Sequence, residues 1–204
     1  MLGDYRGTVN PCWDGSKGII KSINVNVGPL PMDCNKKGEP IPTASTGIGG
    51  WVPPPGLRTI PRCSGSYNIN GTSWWSFRDY SGGGMTDWGA HHFGGATFAI
   101  DVRELEPEEV IFHDENGKKF ATCRYPNGKL LHHNHPGMGN LHAVGTNEKG
   151  PSKPVPRYAG TGGIYGGFID CVKTPERPFR DIEYAVHTAT VCHLSLMRTS
   201  WHGP

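Results

Sequence analysis

The order of apolar and polar residues predicts several strands in the middle of the chain. Ile19–Val27 alternates between the two kinds of residue from Ile23 onward, as a strand with one solvated face does. Three later runs, EEVIFH, KKFATCRY and KLLHHN, predict a β-meander, because the hairpin signals Asn116-Gly117 and Asn127-Gly128 separate them. Both central residues of such turns favour positive φ. A further strand is predicted at Leu141–Gly145.

Three helices are predicted around these strands. One follows the glycines Gly82–Gly84 and runs to about Ile100, and a short one covers Tyr165–Val172. The last begins after Asp181, which can cap IEYAVHTATVCHLSLMRTSW, a segment with apolar residues at roughly helical spacing. The pattern as a whole predicts an α+β fold, with a largely antiparallel open β-sheet and helices packed on one face.

Composition and charge narrow the function classes. The 204 residues include 30 Gly and 18 Pro, mainly in 29–71 and 136–167, which indicates long ordered loops around a core. The net charge is +2, and acidic and basic residues are interspersed without a basic stripe, so we expect no nucleic-acid partner. No apolar run reaches the roughly 18 residues of a membrane span, and MLGDYRGTVN lacks the apolar core of a signal peptide. We therefore expect a soluble cytoplasmic protein without a membrane partner.

The six cysteines are interpreted as reduced, structural thiols. They form no C-x-x-C pair, and a chain of this length has no need of a disulfide framework. Cys171 and Cys192 lie in apolar segments with helical pattern, where a free cysteine acts as a small buried residue.

The stretch YSGGGMTDWGAHHF places Asp87 four residues before His91, directly after what the sequence suggests is a flexible glycine hinge. On a helix the two side chains share a face, and a carboxylate beside an imidazole can orient a general acid–base. The alternative is an acid that stabilises a helix N-terminus, with His91 simply paired to it. Spacing alone favours this alternative, because acid–histidine pairs four residues apart are common on ordinary helices.

Two other motifs are weaker. His132, His133 and His135 suggest a metal, but on a strand only His133 and His135 share a face, and further ligands are lacking, so no metal is predicted. GTGGIYGG at Gly160–Gly167 misses the dinucleotide-binding spacing, because Tyr165 occupies the third glycine position. We interpret it as a loop that enters a helix.

Large aromatic residues flank the glycines of YSGGGMTDWGAHHF: Trp74, Trp75, Phe77, Tyr80 and Trp88. Aromatic faces beside acids and amides suit sugar rings, although any one such residue is more often part of a core. As substrate contacts we predict His92, Trp88, Tyr80 and Trp75.

YSGGGMTDWGAHHF resembles the start of the central helix in the C-terminal domain of the Gfo/Idh/MocA oxidoreductases, in particular their bacterial-type branch. FIDCVKTPERPFRDIEYAVHTATVCHLSL at Phe168–Leu196 is similar to the closing segment of that family, and GIIKSINVNVGP more weakly to its entering strand. These matches place the family-like domain at residues 18–204, with 1–17 as a remnant of the junction before it.

The resemblance implies an enzyme with two domains. A Rossmann domain, absent from this chain, would bind NAD or NADP, and this domain would close over a sugar or polyol for hydride transfer. By matching position, His91 would be the base that takes the hydroxyl proton, and Asp87 would orient it. The family also implies homo-oligomers formed through the sheet. A Rossmann domain that is separately encoded or missing would be the second partner.

Three departures from the family keep a second hypothesis open. The dinucleotide fingerprint and the lysine of the family's EKP motif are not in the chain, Gly94 stands where relatives carry an acid in HHxDIAQW, and the last helix reads Ala185-Val186-His187 in place of GHR. The chain is thus either the substrate-side domain of a truncated or split enzyme, inactive alone, or a non-catalytic binding or oligomerisation module. A metal-dependent hydrolase built on His132, His133 and His135 is a distant third alternative. An export signal would have been lost with a missing N-terminal half.

Overall fold

The structure of the chain is a computed structural model that describes residues 5–33, 74–78, 81–158, 160–179 and 181–197. Its four helices and five strands follow in the order α1 (Arg6–Trp13), β1 (Ile20–Val25), α2 (Trp88–Ala99), β2 (Glu109–Glu115), β3 (Lys118–Arg124), β4 (Leu130–His133), β5 (His142–Gly145), α3 (Gly163–Lys173) and α4 (Ile182–Met197). Two 3₁₀ turns, Trp74–Ser76 and Gly83–Met85, precede α2.

The five strands form one open sheet in the order β2-β3-β4-β1-β5. The predicted meander is confirmed, because β2 pairs antiparallel with β3 and β3 pairs antiparallel with β4. Strand β1 then lies between β4, to which it is parallel, and β5, to which it is antiparallel. The predicted α+β class with a largely antiparallel open sheet is therefore confirmed. The one parallel pair was not predicted.

The two hairpins of the meander use different turns. At Asn116-Gly117 both residues have positive φ, 55° and 79°, as predicted. At the second hairpin only Gly128 does, with φ 78°, and its N–H donates to the carbonyl of Tyr125. Because Pro126 fixes its own φ near −65°, this hairpin begins with a turn of ordinary hand, and the expectation for Asn127 was wrong.

The core lies between the sheet and α2. Ile23, Val25 and Leu131 project from neighbouring strands and are completely buried, together with Phe93 of α2. Helix α4 completes this layer through the buried Val191 and Cys192. The opposite side of the sheet, here called the outer face, carries the alternate strand residues.

The predicted helices are confirmed with small changes at their ends. Helix α4 begins after Asp181, whose carboxylate accepts from the N–H of Glu183 at 2.9 Å, as expected of a cap. Helix α3 extends beyond the predicted Tyr165–Val172 at both ends, and none of its described side chains is buried. None of the helices in the described part of the chain is long and apolar enough to cross a membrane.

Helix α1 was not predicted, although it contributes to the core. Val9 and Trp13 are buried, and the Trp13 indole N–H donates to the carbonyl of Phe98 at 3.0 Å. Residues 6–13 thus pack on α2, within the segment that the sequence analysis assigned to a junction. The boundary at residue 18 stays a prediction.

The glycines before α2 form a tight backbone contact, and the interpretation of a flexible hinge was wrong. The N–H of Gly84 donates to the carbonyl of Pro29 at 3.0 Å. A Cβ at Gly84 would lie 2.5 Å from the carbonyl oxygen of Gly28, and one at Gly83 would lie 2.8 Å from the backbone nitrogen of Pro31. Glycine is required here because the chain that follows β1 passes directly against this turn.

We expect Gly84→Ala to lower the free energy of unfolding by about 1–3 kcal/mol, because the new methyl group overlaps backbone that has no room to move. Urea unfolding followed by circular dichroism measures it. Gly7→Ala is the matched control: it lies on α1 with open space around it, so the same methyl group should be neutral or slightly stabilising. Equal stability of the two variants would contradict the close contact.

Candidate functional site

Helix α2 begins where the glycine turn ends, and this fixes the position of the predicted catalytic residues. Asp87 is the residue directly before the helix, its side chain is exposed, and it makes no capping hydrogen bond. His91 lies one turn further on and is also exposed. Among the described residues, no ion pair or hydrogen bond joins the two side chains. The expected pairing of Asp87 with His91 is therefore not formed, and their catalytic roles stay predictions.

An aromatic group does form on the exposed side of α2. The ring of Trp88, 60% exposed, lies edge-on to His91 at 5.7 Å between centroids and to His92 at 6.4 Å. Tyr5, just before α1, meets His92 edge-on at 6.2 Å. The structure thus brings together three of the predicted site residues.

The other two predicted substrate contacts are not part of this group. Trp75 is half-buried in the 3₁₀ turn Trp74–Ser76, and no ring contact joins it to Trp88 or His91 in the part of the chain that the structure describes. Tyr80 lies outside the described residues. The roles predicted for both stay predictions.

His92 is held by the side-chain amide of Asn140, a residue that no sequence motif indicated. The side-chain oxygen of Asn140 accepts from the backbone N–H of Asn26 at 2.8 Å. Nδ1 of His92 lies 3.1 Å from the amide nitrogen of Asn140 and 3.4 Å from its oxygen. The nearer nitrogen can only donate, and it pairs with Nδ1 when the neutral ring carries its proton on Nε2. Asn140 thus fixes the orientation of His92.

Asn140 belongs to a network of asparagines at the carboxyl ends of the parallel pair β1 and β4. Asn24 is completely buried, donates to the carbonyls of Met138 and Gly139, and accepts from the N–H of His135. With this network the loop after β4 is anchored against β1. Only the parallel pairing brings these ends together, so the meander pattern gave no signal for it.

A cavity of about 310 Å³ lies between α2 and α4, and His91 lies at its lining. Its walls include Gly94 and Gly95 of α2, Thr188 of α4, and Arg103 from the loop after α2. A Cβ at Gly95 would lie 2.9 Å from the ring of Tyr5, so this glycine permits the ring to close one end of the space. Arg103 carried no motif and was not predicted.

A larger groove of about 780 Å³ lies between α1, α3 and α4. Its lining is mostly apolar and includes Val9, Phe98, Ile164, Phe168 and Ile182. Five residues line both spaces, so the groove adjoins the α2–α4 cavity: Val9, Phe98, Phe179, Asp181 and Ala185.

The histidines after β3 are distributed differently from the expectation. His133 faces the core and meets Phe93 at 5.7 Å between ring centroids, whereas His132 and His135 meet on the outer face at 5.2 Å. Strand β4 ends at His133, and Asn134 has φ 58°, which turns His135 to the side opposite its expected one. No group of three His, Cys, Asp or Glu among the described residues is placed to hold a metal ion.

A hydrogen-bonded chain of side chains crosses the outer face. Thr122 lies between His113 and His132, with its hydroxyl 3.0 Å from Nε2 of the first and 3.0 Å from Nδ1 of the second. Burial, and then the nearby His135 and His113, lower the pKa of His132 to about 4. His132 is therefore neutral near pH 7 and can share the threonine proton.

Four cysteines are described, and none forms a disulfide there: Cys12, Cys123, Cys171 and Cys192. Burial raises the pKa of the Cys123 and Cys192 thiols to about 12, so neither is a thiolate at neutral pH. Cys34 and Cys63 lie outside the described residues.

Comparison with known proteins shows a distant structural likeness. No protein-family model matches the chain, and no curated protein matches it. A solved structure, reported as "putative oxidoreductase from Thermotoga maritima", is similar to 97% of this chain with a TM-score of 0.49 and 12% identity. The chain spans 58% of the length of that protein. At this level of similarity the function rests on the site itself.

We expect the stability of the protein to fall as the pH is lowered from about 6.5 to about 4. The pKa of His132 is lower in the folded chain than in the unfolded one, so the unfolded chain binds the proton first and gains free energy. Thermal unfolding across this range measures the effect, and a histidine NMR titration gives the pKa of His132 directly.

His132→Gln should show a weaker pH dependence over the same range, because it removes the titrating ring. His142→Gln is the control, since His142 is exposed on β5 and makes no ring contact with His113, His132 or His135 among the described residues. A His132 pKa near 6.5 would contradict the burial of the ring.

Proposed function

We propose that this chain is the substrate-side domain of an NAD(P)-dependent oxidoreductase that acts on a sugar or polyol by hydride transfer. The observation that carries the proposal is the placement of Trp88, His91 and His92 on one exposed side of α2, beside the α2–α4 cavity. An aromatic face beside imidazoles can stack on a sugar ring and exchange protons with its hydroxyl groups.

In this proposal His91 accepts the proton of the substrate hydroxyl group. Its side chain is exposed and free of an acidic partner among the described residues, so a substrate can approach it. With Asn140 donating to Nδ1, the ring proton of His92 lies on Nε2 in this proposal, and from there it donates to a second substrate oxygen. Asp87, one turn before His91, would orient it only after the carboxylate turns toward the ring.

The described residues do not fit a dinucleotide cofactor. At Gly160–Gly167 the chain enters α3 with Gly162 and Gly163 at positive φ, but residues 151–158 before it form no strand. The strand–turn–helix unit that binds a dinucleotide is therefore not formed at this motif. In the proposal a Rossmann domain on another polypeptide segment supplies NAD or NADP, and this chain is inactive without it.

The test is turnover with that second segment present. Reading the DNA upstream of Met1 for a G-x-G-x-x-G unit and an EKP motif identifies a candidate segment. The two parts expressed together should reduce NAD or NADP in the presence of sugars or polyols. We expect His91→Ala to lower kcat about 10²–10⁴-fold, because the proton acceptor is removed.

His142→Ala is the matched control for His91→Ala, because it removes an exposed histidine from β5, away from α2. It should leave the rate unchanged. An unaltered rate in His91→Ala would remove His91 from the chemistry.

A second candidate is a non-catalytic binding or oligomerisation module derived from the same family. The observation that favours it is the absence of contact between Asp87 and His91 among the described residues. In this case the outer face of the sheet would hold copies of the chain together. Two apolar residues are exposed there, Ile111 on β2 and Val144 on β5.

If the chain self-associates through the sheet, the double variant Ile111→Lys, Val144→Lys should be a monomer where the natural chain is not, because charges are not tolerated in an apolar contact. Light scattering after size-exclusion chromatography measures the mass. Ile164→Lys on α3, away from the sheet, is the control and should keep the natural mass. An unchanged mass for the double variant would exclude this face.

A further inference from the structure

The guanidinium of Arg103 is held by aromatic rings, and no carboxylate pairs with it in the part of the chain that the structure describes. Its central carbon lies 4.5 Å from the ring centroid of Tyr184, 5.2 Å from that of Phe98 and 5.4 Å from that of Phe179. Among the described residues it makes no ion pair and no hydrogen bond. Since a guanidinium over aromatic faces keeps its N–H groups along its edges, the rings fix its position and leave its donors available.

The acidic side chains of this region all have other partners. Asp181 is bound by Arg177 and by the N–H of Glu183. Glu104 accepts from the hydroxyl of Tyr184 at 2.6 Å, and Glu106 lies 3.6 Å from His187. Within the described ranges, no direct contact with a carboxylate therefore neutralises the positive charge of Arg103.

Arg103 lines the α2–α4 cavity, and His91 lines the same space. The lining also includes Gly94, Gly95 and Thr188, and the Thr188 hydroxyl has no hydrogen-bond partner among the described residues. There is free space beside Gly94, because even an added Cβ would make only ordinary van der Waals contact with Thr188. The cavity thus combines a fixed guanidinium, a hydroxyl group and an imidazole.

We propose that the α2–α4 cavity binds the anionic group of a small polar ligand, with Arg103 as the anchor of a carboxylate or a phosphate. The planar guanidinium matches both groups through paired N–H donors. This inference deepens the proposed function, and its statement about the substrate rests on that function. If the chain acts on a sugar or polyol, the substrate is an acidic or phosphorylated sugar whose hydroxyl groups extend toward His91.

The test measures binding by the chain alone, without cofactor or turnover. Gluconate, inorganic phosphate and neutral sorbitol are titrated at constant ionic strength, with binding followed by amide NMR shifts. We expect gluconate or phosphate to bind at least tenfold more tightly than sorbitol, with the shifts at α2 and α4 around the cavity. A preference for gluconate identifies a carboxylate, and a preference for phosphate identifies a phosphate ester.

Arg103→Gln should weaken anion binding tenfold or more, because hydrogen bonds to a charged group are lost. Arg103→Lys keeps the charge and should lose less, which also covers the case in which the Gln variant does not fold. Arg124→Gln is the control, since Arg124 is bound to Glu109 on the sheet edge and should have no effect.

Two results would overturn the anion site: no preference of the natural chain for either anion over sorbitol, or equal losses in the Arg103 and Arg124 variants. Neither result depends on hydride transfer. Oxidation of neutral polyols without anion binding would leave the proposed function standing and reject this site. Anion binding by a chain that supports no turnover would leave the anion site standing and reject the proposed function.

Discussion

The contact between the glycine turn and the chain after β1 determines where everything else on the site lies. Gly83 and Gly84 pass so close to Gly28 and Pro31 that no side chain fits between them. The turn therefore fixes the first residue of α2 relative to β1, and Phe93 then enters the core one and a half turns later. Because the helix is anchored both at its first residue and by a buried ring, its rotational orientation about its own axis is fixed. That rotation presents Trp88, His91 and His92 away from the sheet.

The polar groups around α2 differ in how firmly they are held. His92 is oriented by Asn140, which is itself bound to the backbone after β1, so its ring is positioned by the sheet. No described side chain orients Asp87 or His91 by a hydrogen bond in this way. Preorganised groups contribute to catalysis because their orientation costs nothing at the moment of reaction, and free ones do not. The incomplete support of His91 is therefore consistent with both hypotheses. It is expected of a site that another polypeptide segment completes, and equally of a site that has lost its catalytic function.

The α2–α4 cavity joins this helix to the last segment of the chain. Arg103 follows α2, while two of the rings that hold it, Phe179 and Tyr184, lie just before and within α4. Because aromatic faces fix the cation and no described carboxylate pairs with it, its charge stays available to a ligand. The outer face of the sheet is different in character, since its histidines and Thr122 satisfy one another.

The sequence by itself determined the elements whose signals are local. Alternation predicted the meander, Asn116-Gly117 its first turn, and Asp181 the start of α4, because each depends on residues a few positions apart. Only the tertiary structure decided the parallel pairing of β1 with β4, the burial of α1, and the environments of Asn140 and Arg103. These depend on groups far apart in the chain, such as Asn26 with Asn140. The position of a side chain in space is set by packing, and no short pattern records it.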